Sequence, residues 1–364
     1  MNNKKEPLIH ISKRDTLPWF KAWGIRIAAI LLALVFCGII TSLLTKLNPL
    51  SVYATMFNGV FGTKRKIWVT LQNTSVLLLI SLALTPAFKM KFWNVGGEGQ
   101  VLIGGVATAA CMIYLGGKIP NGLLIVVMLL AALCAGAIWA MIPALFKVKW
   151  NTNETLATLM MNYIATQIAA FYIIVWEVPK GSGSVGIINQ ATNAGWLPNI
   201  YNQYLLSIIV AVIATALLYV YQNYTKQGYE IAVVGESVNT ARYVGIKVNR
   251  VVIRTLIISG AVCGLAGFII VGGIDHTITT TLVGGRGFTA VMVSWLAKFN
   301  PIAMVATSFL INFMKRGASA ISTKFLLNEA FGDILSAIII FFIIGCEFFI
   351  NYKLAFRKDK KEAK

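Results

Sequence analysis

A short glycine-rich element occurs twice in the chain, as Val95-Gly96-Gly97-Glu98-Gly99-Gln100 and as Val283-Gly284-Gly285-Arg286-Gly287-Phe288. Each copy interrupts an apolar stretch and is followed by another. Glycine lets a helix unwind and lets neighbouring helices approach closely. Unwound backbone at membrane depth survives only against protein or a water-filled cavity. The chemistry on offer is therefore recognition of a passing solute, not bond-making. Glu98 and Arg286 hold equivalent places with opposite charge, so they are candidates to pair with each other or to hold the two breaks. Arg286 could instead reach an interface along its aliphatic stem. V-G-G-x-G is also an ordinary loop composition, which is the competing reading of the repeat.

Other chemistries find little support. The two histidines, His10 and His276, lie far apart. All five cysteines (Cys37, Cys111, Cys134, Cys263, Cys346) fall in apolar segments without C-x-x-C spacing, and they read as small buried hydrophobes. No Ser-His-Asp triad, metal site or cofactor is expected. Gly181, Gly183 and Gly186 match G-x-G-x-x-G by spacing, but no strand precedes them and no helix opens there. No G-x-x-x-x-G-K-[ST] loop is present, so energy for any transport must come from a partner ATPase or an ion gradient.

A second polar group lies at 153–162. Asn153 and Glu154 have the types of a helix cap and first turn. Thr158 and Asn162 are four residues apart and share a helix face, where they could glue helices together or touch a solute.

The elements that carry these residues must be membrane helices. Of 364 residues, 57% are hydrophobic and only 12% are charged, with a mean hydropathy of +0.75. Such a chain cannot hide its apolar surface in a water-soluble core. Apolar runs over 23–44, 68–88, 100–115, 123–146, 156–176, 204–221, 251–273, 288–297, 302–314 and 334–350 predict an all-α, polytopic membrane protein with about ten transmembrane helices. The segment 49–61 predicts an amphipathic interfacial stretch, and 177–202 a flexible loop.

The organisation is then a polar N-terminal segment over 1–22, a membrane domain over 23–350 with a polar loop at 222–250, and a basic tail over 351–364. The formal charge of +19 lies between the apolar runs and at the ends, with no basic helix interleaved with aromatics, which argues against nucleic acid. With ten crossings and a cytoplasmic N-terminus, most of it falls inside, as the positive-inside rule requires. Lys64-Arg65-Lys66 is the misfit. In this topology the two glycine elements follow helices of opposite direction, as in two inverted five-helix repeats with broken helices.

At these residues the chain resembles a family. Phe92-Trp93-Asn94-Val95-Gly96-Gly97-Glu98-Gly99-Gln100 is similar to the N-I-G-x-E-G-Q element of permeases in ABC importers of the branched-chain amino acid, ribose and nucleoside class. The stretch 153–164 is similar to N-E-x-x-x-T-L-M-x-N-Y-I of the nucleoside group. Gly235-Glu236-Ser237-Val238-Asn239-Thr240-Ala241-Arg242-Tyr243-Val244-Gly245-Ile246 resembles the G-x-N-x-x-A-A-x-Y-x-G-I loop, and Gly285-Arg286-Gly287-Phe288 with Asn300-Pro301 completes the set. The matches keep their order from about 70 to 320. Three departures, Glu236-Ser237, Thr240 in place of the first Ala, and the stretch 293–298, bear on substrate.

The resemblance implies a bacterial inner-membrane permease subunit, without enzyme activity of its own. Its partners would be a cytoplasmic ABC ATPase, a second permease subunit (identical or homologous) and an extracytoplasmic substrate-binding protein. Phe92, Trp93, Asn94, Gly96, Gly97, Glu98, Gly99, Gln100, Thr158, Asn162, Gly285, Arg286 and Gly287 would line or shape the pathway. Gly235, Glu236, Asn239, Ala241, Arg242, Tyr243 and Gly245 would form a short coupling helix on the ATPase, with Ala241, Tyr243, Val244 and Ile246 as contacts and Glu236 and Arg242 as rim charges. The substrate implied is a neutral solute, a purine nucleoside first, with a simple sugar or riboflavin next. An ion-coupled secondary transporter is the rival class, though Glu98 is nearly alone as a carboxylate, with Asp333 and Glu347 near the ends of the last run.

Overall fold

A computed structural model describes residues 9–13 and 18–356. Most of the N-terminal segment and the end of the basic tail lie outside the described residues, as do the side chains of Asp333 and Glu347.

The described chain is helical apart from one two-stranded ribbon. Its helices are α1 (Trp19–Thr45), α2 (Pro49–Phe61), α3 (Lys64–Lys89), α4 (Gly97–Leu115), α5 (Asn121–Trp150), α6 (Glu154–Trp176), α7 (Leu205–Tyr224), α8 (Lys226–Glu236), α9 (Val238–Tyr243), α10 (Val248–Ile270), α11 (Arg286–Leu296), α12 (Pro301–Phe325) and α13 (Glu329–Asn351). Among the described residues, eight helices are long and apolar enough to cross a membrane: α1, α3, α4, α5, α6, α7, α10 with its extension, and α13.

The remaining two expected crossings differ from a plain apolar span for identifiable reasons. The short helix α11 has 11 residues, about 16 Å of rise, which is half a hydrocarbon core. The long α12 continues well beyond the expected end at 314, because Lys315, Arg316 and Lys324 lower its hydropathy without breaking the helix.

The contacts divide the chain into two units, Met1–Lys66 with Phe313–Lys364, and Ile67–Asn312. In the terminal unit, strand β1 (Ile9–Lys13) pairs antiparallel with β2 (Tyr352–Phe356), a pairing not expected from sequence. The described parts of the expected terminal segments therefore lie side by side. Beyond the ribbon α1 packs on α13. Ala33, Cys37 and Thr41, four apart, form the buried stripe of α1, and Phe331, Leu335 and Ile339 that of α13. Leu31, Leu32, Val35, Leu43 and Leu44 stay exposed, the pattern of a helix that faces lipid around most of its girth.

In the central unit α10 packs against both α4 and α5. A Cβ on Gly260 would overlap the Gly136 carbonyl, so α5 and α10 cross at backbone contact, antiparallel. Packing of this kind replaces a hydrophobic driving force, which is absent between helices in lipid. One expectation about cysteine changes here: Cys37, Cys263 and Cys346 are buried, but Cys134 is exposed and Cys111 half-buried. In a membrane helix, an outward apolar position faces lipid and needs no burial.

Candidate functional site

The chain leaves α3 after Lys89 and crosses 90–96 without helical structure before α4 opens at Gly97. Unpaired backbone in this stretch must find partners, and polar side chains from other helices supply them. Asn94, fully buried, accepts from the Gly96 backbone N–H and from Gln100 Nε2, both at 3.1 Å, and donates through Nδ2 to Ser259 Oγ at 3.2 Å. Asn162 Oδ1 accepts from the Gly99 N–H at 2.9 Å, and its Nδ2 donates to the Val95 carbonyl at 3.0 Å. Thr158 Oγ1 accepts from the Val95 N–H at 3.2 Å.

The stripe of Thr158 and Asn162 on α6 therefore holds the break and caps α4 from a neighbouring helix. The cap of α6 itself is as expected, since Asn153 Oδ1 accepts from Thr155 N at 3.0 Å and Leu156 N at 3.2 Å. Glu154 pairs with Lys147 at 2.9 Å. Ser259 lies eleven residues (259 − 248) along α10, about 16 Å from its start, which puts the break near half the depth of a hydrocarbon core.

The second glycine element meets the first at the same level. After α10, a π-helical turn at Val271–Asp275 and an irregular stretch return the chain to Gly285, the residue that precedes α11. Gly285 is left-handed, with φ 73°, and offers no side chain to cap the helix. Glu98 caps it instead. One carboxylate oxygen accepts from the Gly285 N–H at 2.8 Å and the other from the Gly287 N–H at 2.7 Å. A carboxylate fits the positive end of a helix, and charge-assisted bonds of this kind are strong. A Cβ on Gly287 would overlap the Glu98 backbone, so only glycine allows this approach.

The two charges of the repeat thus take different partners from a simple pair. Glu98 grips backbone N–H groups on either side of Arg286. The guanidinium of Arg286 donates to Asn73 Oδ1 at 3.2 Å and is electrostatically coupled to Asp275 and Glu98.

Beside the breaks stands an aromatic cluster. Trp93 and Trp295 stack at 5.2 Å and 24°, Phe88 packs on Trp93 at 6.2 Å, and Phe299 closes on Trp295 at 5.2 Å. Trp93 and Trp295 remain 44% and 47% exposed. Trp295, Phe88 and Phe299 were not among the expected site residues. The sequence offers only a weak signal for them, aromatic residues close to each glycine element. Phe92, by contrast, is buried with Met90, Ile231, Val234, Ala241 and Leu256.

The polar loop over 222–250 is largely helical. Thr225 Oγ1 caps α8 by accepting from Gly228 N at 3.1 Å, and Ser237 Oγ caps α9 by accepting from Thr240 N at 3.2 Å. Glu230 on α8 pairs with Arg254 on α10 at 2.9 Å. A Cβ on Gly235 would overlap the Lys89 carbonyl, so α8 lies directly on the end of α3.

Within the expected coupling segment the residues separate. Glu236, Asn239, Arg242, Tyr243 and Gly245 are exposed, Tyr243 at 93%. Gly235 and Ala241 are buried. Ala241, expected as an outward contact, is the inward anchor of α9, because the six-residue helix must bury one side to stay in place. Among the described residues, no group of three or more His, Cys, Asp or Glu side chains could hold a metal ion.

A multi-pass helical protein with two interrupted helices meeting at half depth, and a pair of short helices across one end, is a membrane transport subunit by its architecture. Residues 67–344 match the family described as branched-chain amino acid transport system / permease component, and the chain belongs to that family. It is 29% identical to a guanosine ABC transporter permease protein of Bacillus subtilis, over 92% of this chain and 95% of that protein. It is 26% identical to a glucose ABC transporter permease protein of Haloferax volcanii, over 97% and 95% of the two chains. A nucleoside ABC transporter permease protein of Lactococcus lactis is also 26% identical, over 89% and 92%. No solved structure matches the chain. The protein is thus an ABC permease subunit of the nucleoside and sugar importer group, a transport component and not an enzyme.

Proposed function

We propose that the chain carries a neutral ribosylated base, a purine nucleoside first, across the bacterial inner membrane. The observation that carries this reading is the stacked, half-exposed pair of Trp93 and Trp295 beside the interrupted helices. Aromatic faces of this size suit a planar base. The extended identity to guanosine and nucleoside permeases supports the same assignment. A simple sugar is the second reading, favoured by the glucose permease whose similarity spans 97% of this chain.

In this reading Asn94, Gln100, Thr158 and Asn162 shape the pathway by holding the broken backbone, with Glu98, Gly285, Arg286 and Gly287 locking the two halves. The two glycine elements belong to inverted five-helix repeats. Both termini face the cytoplasm, where most of the basic residues then lie. A cytoplasmic ATPase docks on α8 and α9 through Glu236, Asn239, Arg242 and Tyr243. A second permease subunit, identical or homologous, completes the channel, and an extracytoplasmic binding protein delivers solute. Titration calorimetry of the cognate binding protein with guanosine, glucose and riboflavin tests the substrate. Tight guanosine binding is expected. Tight glucose or riboflavin binding with no response to any nucleoside overturns the nucleoside assignment and leaves the permease family untouched.

A further inference from the structure

In the ten-crossing topology with a cytoplasmic N-terminus, Lys64, Arg65 and Lys66 fall on the side that the charge rule leaves poor in cations. The terminal unit shows what surrounds them. Its ribbon marks one end of α1, and Thr45 marks the other, about 40 Å away, a full bilayer thickness. Near that far end the start of α3, α2 and the second half of α12 enclose a cavity of about 440 Å³. Thr55, Asn58, Lys66, Arg316, Ser319 and Lys324 line it, and none of the described lining residues is acidic.

Three cations therefore converge from two helices onto a wall of hydroxyls. The geometry is built, not incidental. Lys324 Nζ donates to the buried Thr55 Oγ1 at 3.0 Å, and Lys66 Nζ donates to the Asn58 carbonyl at 3.2 Å. Arg316 Nε is buried without a hydrogen-bond partner. A Cβ on Gly59 would overlap Ala320, so α2 and α12 meet at the floor with no room for repacking. A buried guanidinium N–H without an acceptor is costly. An anion with several acceptor oxygens supplies one.

We propose that this cavity binds a phosphate oxyanion at the membrane surface opposite the termini. The same chemistry is offered by the headgroup of an anionic phospholipid and by free inorganic phosphate. The neighbourhood favours the lipid. Leu50 and Phe57 stand exposed on α2, so the helix presents apolar surface to acyl chains beside the cationic cavity. Basic pockets between membrane helices are suited to such headgroups.

The test uses the full chain purified with its partner subunits in neutral detergent. Thermal unfolding and native mass spectrometry are followed against phosphatidylglycerol, phosphatidylcholine and inorganic phosphate at constant ionic strength. Phosphatidylglycerol should raise the unfolding midpoint saturably and remain as an adduct, while phosphatidylcholine should do neither. Removing all three charges (Lys66→Gln, Arg316→Gln, Lys324→Gln) should weaken this response about 100-fold, and Lys66→Gln alone about fivefold. Lys64→Gln, which does not line the cavity, should leave it unchanged. Competition by millimolar inorganic phosphate would support the phosphate site and assign it to the free anion. Equal responses to the two lipids, or wild-type affinity in Lys66→Gln and the triple variant, would overturn the proposal. So would loss of binding-protein docking in these variants with the lipid response intact, since the cavity would then serve an acidic protein surface.

Discussion

Replacing Glu98 by Gln removes a charge while keeping the shape of the side chain. The native carboxylate presents one oxygen to Gly285 N–H and the other to Gly287 N–H. An amide has one oxygen and one NH2, so one of the two backbone donors is left facing another donor. A hydrogen bond to a charged group contributes about 1.5–3 kcal/mol, and a carboxylate at a helix N-terminus adds up to about 2 kcal/mol in partly buried settings. Glu98 is half-buried, so screening trims the sum to about 3 kcal/mol. For a unit spanning Ile67–Asn312 that corresponds to a fall of about 6–12 °C in unfolding midpoint. Glu98→Asp should behave alike, because a carboxylate drawn back by about one C–C bond, ~1.5 Å, cannot reach both donors. The assay is scanning thermal unfolding of purified protein together with solute uptake in cells. A midpoint within 2 °C of wild type in Glu98→Gln, by the scale of about 2–4 °C per kcal/mol, would refute the capping argument whatever the uptake. A normal midpoint with lost uptake would move Glu98 from the scaffold to the solute.

The other expectations concern separate parts of the protein. Asn162→Ala strips partners from the Gly99 N–H and the Val95 carbonyl and should cost about 2–4 kcal/mol; folded yield should fall while the KM of the surviving transporter stays unchanged. Tyr243→Ala should lower ATPase stimulation without moving the unfolding midpoint, because the ring is 93% exposed. Ala241→Trp should do the reverse, lowering the midpoint by overpacking the α9 anchor. Two backbone N–H bonds, from Gly181 and Gly183, hold the Glu177 carboxyl below its ordinary range. A depressed acid stabilises above its unfolded pKa and loses that contribution as pH falls through the folded value. Protection factors at Gly181 and Gly183, taken against the intrinsic exchange rate at each pH, should therefore hold at neutral pH and through the ordinary carboxylate range and fall only below it. In Glu177→Gln they should be reduced across the whole range.

Much of this was legible in the sequence, for a physical reason. Lipid forces each crossing to satisfy its own backbone and to be apolar over a bilayer's thickness, so runs such as 156–176 map onto α6 within two residues. The same reasoning fails for α12, whose second half is helical but charged. The glycine elements were visible because glycine at a break is a local requirement. Their meeting was not, since the bond from Glu98 to Gly287 spans 189 residues. Tertiary capping also hid the role of Asn162, whose type and spacing serve a solute contact and a trans-helix cap equally well. The pairing of Trp93 with Trp295 leaves no local trace, and neither does the inward turn of Ala241 in a helix too short to show a periodicity.

The proposed coupling between ATPase and pathway gains a physical route from these contacts. Helix α8 rests on the Lys89 carbonyl at the end of α3. One and three residues on, Met90 and Phe92 pack in one apolar cluster with Ile231 and Val234 of α8 and Ala241 of α9. Asn94 follows at the break, and Glu98 four residues later carries the N-terminus of α11. The far end of α11 is Trp295, stacked on Trp93. In the proposed mechanism a displacement of α8 would reach both sides of the tryptophan pair, Trp93 through the 90–96 segment and Trp295 through α11. Packed interiors transmit such shifts because they cannot absorb volume. The 90–96 segment of this route is unwound, and the buried amides of Asn94 and Asn162 hold it. That combination suits a gate better than a rigid helix would, since it lets two aromatic faces part by small movements while every backbone donor keeps a partner at membrane depth.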